Sequence, residues 1–177
     1  MITAMITALY TDGGVIGPNL SLLGGTWAWC HVNECGQRIR HESGVARPFL
    51  RDADGHPVPV TNNNTEMIAL TRGLLSLPDG WSGDVYSDSR LALGWTFWNF
   101  KHELVPPLLY QKALAARSRL GLVNVVLLDG HPTRAQLAAG TGKRGGPVSE
   151  HNVFCDAECT ARAHEAKGAK DLEEWQK

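Results

Sequence analysis

Apolar and polar positions along this chain change period several times, and each change marks an element. Thr7 to Gly14 (TALYTDGG) is a short apolar run closed by an Asp-Gly turn signal, the pattern of a strand. A Gly/Pro/Asn-rich loop (VIGPNLSLLGG) leads into TWAWCHV, which alternates like a half-buried strand. Asn33 to Gly36 reads as a hairpin turn into a third strand, QRIRHESGVA. Arg47 to Val60 holds prolines and turn formers and reads as an irregular insertion; its DADG resembles the start of a calcium loop but lacks the later ligands. From Asn64 to Leu77 the period becomes helical, with Met67, Leu70, Leu74 and Leu77 on one stripe. GDVYSD is then a short strand, SRLALGWTFWNF a helix, and Leu108 to Leu120 a helix with proline in its tolerated first turn. LVNVVLLDG is a continuous β-rich run that suits a central strand buried on both faces. A Gly-rich loop (Pro132 to Ser149) precedes a last helix from about Phe154 to Lys167.

Hairpin-joined strands followed by helical crossovers predict an α/β three-layer fold. Its five-stranded mixed sheet has strands 1–3 antiparallel, then parallel crossovers, with helices on both faces. One domain over residues 1–168 and a charged tail over 169–177 are expected.

Composition narrows the partners. The 177 residues are 43% hydrophobic and 20% charged, with a formal net charge of −1, so no overall basic field points to a polyanion. No apolar run approaches the ~20 residues that cross a bilayer, and MITAMITALY lacks a basic leader pattern. A cytoplasmic monomer without a membrane partner is the expectation. The four cysteines, Cys30/Cys35 and Cys155/Cys159, are spaced too widely for a usual zinc site and read as buried free thiols. Trp27, Trp29, Trp95 and Trp98 are flanked by apolar residues and read as core rather than as a stacking platform for bases.

The acids sit at element ends. Asp12 closes the first strand, Glu66 opens the first helix, Asp88 ends the fourth strand and Asp156 starts the last helix. Each has a structural explanation alone: a turn, an Asn63/Glu66 capping box, an N-cap, a helix dipole. Together they can converge on one edge of a sheet. Carboxylates a few ångströms apart stay ionised only with cations, and hard oxygen donors suit Mg²⁺ or Mn²⁺.

ALYTDGG, TNNNTEMIAL, VYSDSRLAL and HNVFCDAECTARA resemble, in order and over nearly the whole chain, the four signature segments of type 1 ribonuclease H. The resemblance implies the ribonuclease H-like fold and an endoribonuclease that cuts the RNA strand of RNA/DNA hybrids. Asp12, Glu66, Asp88 and Asp156 would hold two Mg²⁺ ions, with Mn²⁺ a possible substitute, and the products would carry 5′-phosphate and 3′-hydroxyl ends. It also implies substrate contacts by Asn62, Asn63 and Asn152, and close backbone approach at Gly13 and Gly14. Arg90 stands where the family usually has a polar amide. DGHPT resembles the family's histidine segment and favours His131 as the product-release group, although it lies far ahead of Asp156; His151 competes. The family's basic protrusion has no counterpart here, and Lys143 and Arg144 in the enlarged loop are candidates to replace it. A related DNA nuclease, or a non-catalytic nucleic-acid-binding module, remains an alternative reading. Asn64, the third of the run, is left without a role.

Overall fold

The computed structural model describes residues 5–175, with side chains through residue 168. β1 (Ile6–Val15), β2 (Gly25–Asn33) and β3 (Arg38–Ala46) form an antiparallel meander. The β2–β3 turn forms because the Asn33 carboxamide oxygen accepts from the Cys35 and Gln37 N–H groups, while Gly36 takes φ +74° at no Cβ cost. Then come α1 (Asn62–Leu75), β6 (Gly83–Ser87), α2 (Arg90–Phe97), α3 (Pro107–Ser118), β7 (Val123–Leu127) and α5 (Glu150–Trp175). The five-stranded order is β3-β2-β1-β6-β7, with β6 and β7 parallel to β1. The expected three-layer mixed-sheet architecture is the one found.

The sheet separates two cores. On one face α1 packs against β1 and β2, with α2 and α3 beside it, and Leu9, Trp27, Trp29, Met67, Leu70 and Leu74 are buried there. The predicted α1 stripe points inward, Met67, Leu70 and Leu74 fully and Leu77 nearly so; each buried side chain of this size contributes about 1.5–3 kcal/mol. On the other face α5 crosses β1, β2 and β3, covering Tyr10, Ala28, Cys30 and Val32 with Cys155 and Cys159. Among the described residues no helix is long and apolar enough to cross a membrane.

Several local expectations are corrected. β2 is buried along its whole length rather than half-buried, because helices cover both of its faces. β7 lies at the edge of the sheet and is only partly buried, since α5 packs across the opposite half. The 47–60 segment contains a small hairpin, β4 (Phe49–Arg51) with β5 (Pro57–Pro59), closed by Asp52, whose carboxylate accepts from the Asp54 and His56 N–H groups. The Gly-rich loop contains the short helix α4 (Arg134–Ala139), capped by Thr133 and Gln136. α5 begins at Glu150 and its backbone remains helical to Trp175, through most of the expected tail; the side chains of that stretch lie outside the described residues. Trp27, Trp29 and Trp95 are core residues, whereas Trp98 is 39% exposed. Cys30, Cys155 and Cys159 are buried free thiols, and Cys35 is exposed.

Candidate active site

Three elements and one junction deliver the four acids. Asp12 lies on β1 and is almost fully buried. Glu66 lies in the second turn of α1, equally buried. Asp88 follows β6 directly; the cap of α2 is Ser89, whose hydroxyl accepts from the Ala92 N–H, so Asp88 is not spent on capping. Asp156 sits in the second turn of α5 rather than at its start, and its side chain is about half exposed. Carboxylate oxygens of Asp12, Glu66 and Asp88 all lie within 4.8 Å of one another. Asp156 stands just outside this trio, near enough for its field to act on all three.

The mouth of α1 explains how Glu66 becomes available. The helix is capped by Thr61, whose hydroxyl accepts from the Asn64 N–H at 3.1 Å while the Asn64 carboxamide oxygen accepts from the Thr61 N–H at 3.2 Å. The capping box is therefore Thr61/Asn64, two residues ahead of the Asn63/Glu66 pairing the sequence allowed. This assigns the third asparagine to the cap and leaves the Glu66 carboxylate unspent. Gly13 lets β1 meet this turn, because a Cβ there would overlap the Thr65 and Glu66 backbone. The space left by the missing side chain at Gly13 is thus filled by α1.

Electrostatics make the trio a candidate cation site. Burial, then the Asp88 and Asp156 charges, pushes the Asp12 carboxyl well above its ordinary range. Burial, then Asp12 and Asp88, does the same to Glu66. Asp88 is raised by burial, with His131 and the Asn152 amide acting against the rise. Glu66 Oε2 and Asp88 Oδ1 are buried without a hydrogen-bond partner. Orphaned carboxylate oxygens in a cluster of like charge fit hard divalent cations, which would supply the missing partners. A second group, Asp52, Asp54 and His56, is solvent-facing and accounted for by the β4–β5 turn.

An open cleft of about 290 Å³ is lined by Asn62, Asn63, Glu66, Asp88, Arg90 and His131. Five of these are residues singled out from the sequence beyond Asp88. Asn63 and Arg90 are exposed. His131 takes φ +51°, and its Nδ1 lies 3.7 Å from Asp156 Oδ2. His151 is elsewhere, buried against the Tyr10 ring with its Nδ1 3.1 Å from an Arg38 Nη. Asn152 is buried beside Asp88, with Oδ1 unpartnered, rather than open to the cleft. Gly14 continues β1 opposite Thr26. A larger cleft of about 450 Å³ between α3 and β7 is mostly apolar and gathers no cluster of titratable groups.

Sequence reasoning missed Asp129. It lies two residues before His131 and is almost fully buried, yet it reads in the sequence as an ordinary Asp-Gly turn. The pairing of Cys30 with Cys155, Sγ to Sγ 3.9 Å, also cuts across the sequence-adjacent pairs.

No protein-family model and no curated protein matches the sequence. Solved structures do match. The N-terminal ribonuclease H domain of Rv2228c from Mycobacterium tuberculosis, determined as a maltose-binding-protein fusion, is 18% identical, covering 94% of this chain and 99% of that one, with a TM-score of 0.59. Ribonuclease H1 from the halophilic archaeon Halobacterium salinarum is 18% identical over 89% of this chain and 97% of that one, with a TM-score of 0.56. The compost-derived LC11 ribonuclease H1 is 18% identical over 92% and 99%, with a TM-score of 0.54. At this identity the likeness is one of fold, and the fold is ribonuclease H-like.

Proposed function

We propose that this protein is a metal-dependent endoribonuclease that hydrolyses the RNA strand of RNA/DNA hybrids. The observation that carries the reading is the convergence of the Asp12, Glu66 and Asp88 carboxylates within 4.8 Å, on a cleft also lined by Asn62 and Asn63. Asp12, Glu66, Asp88 and Asp156 would hold two Mg²⁺ ions, or Mn²⁺ in their place, which when bound activate the attacking water and stabilise the leaving 3′ oxygen, giving 5′-phosphate and 3′-hydroxyl ends.

The chain's own groups supply the rest. Asn62 and Asn63 offer amides that both donate and accept, suited to sugar and base edges in a wide minor groove, and Glu66 lies beside them to meet a 2′-hydroxyl. The Asn152 amide beside Asp88 favours the ionised carboxylate. His131, on the solvent side of Asp156, is placed to exchange a proton or loosen product at the exposed rim. Arg90 offers a cation to a phosphate or base edge on the same cleft. All four acids come from one chain, which supports a monomer, and buried free thiols accord with a reducing cytoplasm.

Labelled RNA/DNA hybrid, duplex DNA and duplex RNA are incubated with Mg²⁺, using the wild-type protein and Asp88→Asn. Cleavage of hybrid alone, lost in the variant, is the expected result. Cleavage of DNA alone would move the protein to the DNA-nuclease branch of the fold, and binding without cleavage would make it a non-catalytic module.

A further inference from the structure

The loop after β7 is built around one carboxylate. Asp129 Oδ2 accepts from the backbone N–H groups of Arg144, at 2.7 Å, and Gly146, at 3.2 Å. Its Oδ1 accepts from Arg144 Nε at 3.0 Å, and its own N–H donates to the Pro147 carbonyl at 2.8 Å. Within the loop the Gly142 N–H donates to Gly146 and the Gly145 N–H to Gly142, so 141–147 is a tight hairpin wrapped on Asp129. Gly142 packs so closely that a Cβ there would overlap the Asp129 side chain.

This hairpin is joined to the acid cluster. Gly130, one Cα step of ~3.8 Å from Asp129, lies so close to Asp88 that a Cβ would overlap its carboxylate. The next residue is His131, which reaches Asp156. Arg144 is therefore held at a fixed place on Asp129, two residues before the cleft-lining His131. Its tether uses only Nε; neither Nη group has a partner among the described residues, and the side chain is 71% exposed. Two backbone N–H groups share the Asp129 charge, leaving the outer fork of the guanidinium with positive character. Arg144 is the exposed end of this pair, and two backbone N–H groups already partner the buried Asp129 carboxylate and hold the hairpin, so the side-chain bond adds little to folding. A pre-ordered guanidinium with both Nη groups free matches phosphate oxygens, and it loses little conformational freedom on binding them.

We infer that Arg144 is a phosphate contact for the nucleic-acid strand in the cleft, and that Asp129 is a positioning residue that orders Arg144 before the strand arrives. The inference rests on the nucleic-acid reading of the cleft and adds the element that grips the backbone. In a chain with a net charge of −1 and four clustered acids, a polyanion needs a local cation of this kind.

The test measures hybrid affinity against KCl concentration in an Asp88→Asn background, where nothing is cleaved. Arg144→Gln is expected to weaken binding roughly 3–10-fold and to reduce the slope of log affinity against log salt by about 0.7–0.9, one phosphate contact. Its Tm should stay within ~2 °C of the parent. Asp129→Asn should weaken binding when Arg144 is present and add nothing in the Arg144→Gln background; additive losses would make Asp129 merely structural. An unchanged salt slope in Arg144→Gln overturns the phosphate contact. If the parent binds duplex DNA but not hybrid, the hybrid reading fails, and the same slope on duplex DNA still decides Arg144. If it binds no nucleic acid, both readings fall.

Discussion

His131 Nδ1 lies 3.7 Å from Asp156 Oδ2 on the open rim of the cleft, while His151, five residues ahead of Asp156, is turned away into the Tyr10 and Arg38 packing. The two histidines should separate cleanly in kinetics. His131→Ala is expected to lower kcat on hybrid by roughly tenfold or more with little change in KM or Tm. His151→Ala should instead cost about 1–2 kcal/mol of stability, a Tm loss of ~2–8 °C, and leave kcat nearly intact. The opposite pattern in steady-state kinetics and thermal melts would reassign the role to His151.

The acid trio trades stability for function. Asp12, Glu66 and Asp88 have carboxyl pKa values raised in the folded protein, so the fold binds more protons than the unfolded chain above the ordinary carboxylate range. Their ionisation therefore destabilises the metal-free fold as pH rises through that range. Glu66→Gln removes one such charge and should raise the metal-free Tm at pH ~8 by about 2–8 °C, or ~1–2 kcal/mol, with a smaller gain at pH ~5. Mg²⁺ should raise the wild-type Tm and leave Glu66→Gln much less affected. Melts with chelator and with Mg²⁺ at both pH values check this; a variant less stable than the parent at pH ~8 would contradict it.

The helix mouth divides into cap and cleft. Thr61 and Asn64 cap each other across α1, whereas Asn63 is exposed and lines the cleft. Thr61→Ala should lose about 1 kcal/mol. Asn63→Ala should leave stability within ~0.5 kcal/mol and raise KM for hybrid several-fold. Urea denaturation and initial-rate kinetics on the two variants distinguish the roles, and a KM unchanged in Asn63→Ala would remove that amide from substrate binding.

Acid lability should centre on His31. It is fully buried on β2, its Nε2 is 2.8 Å from the Ser76 hydroxyl and its Nδ1 has no partner. Burial, helped by the Arg40 charge, pushes its pKa down to about 4. A depressed histidine lets the unfolded chain bind a proton that the fold refuses. Stability is then complete above pH ~6.5 and falls as pH drops toward about 4, by on the order of 3 kcal/mol. His31→Gln should flatten that acid limb in urea titrations between pH ~4 and ~7; an unaltered limb would place the proton uptake elsewhere.

What the sequence disclosed depended on whether a residue's role leaves a periodic trace. Met67, Leu70 and Leu74 mark a buried helix face because helical spacing repeats, and the structure buries all three. The apolar run of β7 carries no such phase: five consecutive apolar-rich positions serve a central or an edge strand equally, and only the placement of α5 decides. Three successive asparagines likewise hide where the helix begins, so the pattern points to a cap two residues later than Thr61. Asp156 read as a helix-start acid because the polar first turn of α5, from Glu150, resembles loop. Asp129 left no pattern at all, since its role is to gather N–H groups fifteen and more residues away.

The central place of β1 also governs the order in which the molecule can be completed. β2 follows β1 in the chain and can pair with it before β6 exists, but the other edge of β1 has no partner until β6 is made, since Ala8 pairs with Asp84. Such long-range parallel pairing is slow to form and leaves an unpaired strand edge exposed meanwhile. A nascent chain thus passes through an interval of vulnerability to mispairing. Because Asp88 follows β6 and Asp156 comes still later, a truncated translation product that stops inside this interval carries an incomplete set of acids and cannot assemble the carboxylate cluster of the full chain.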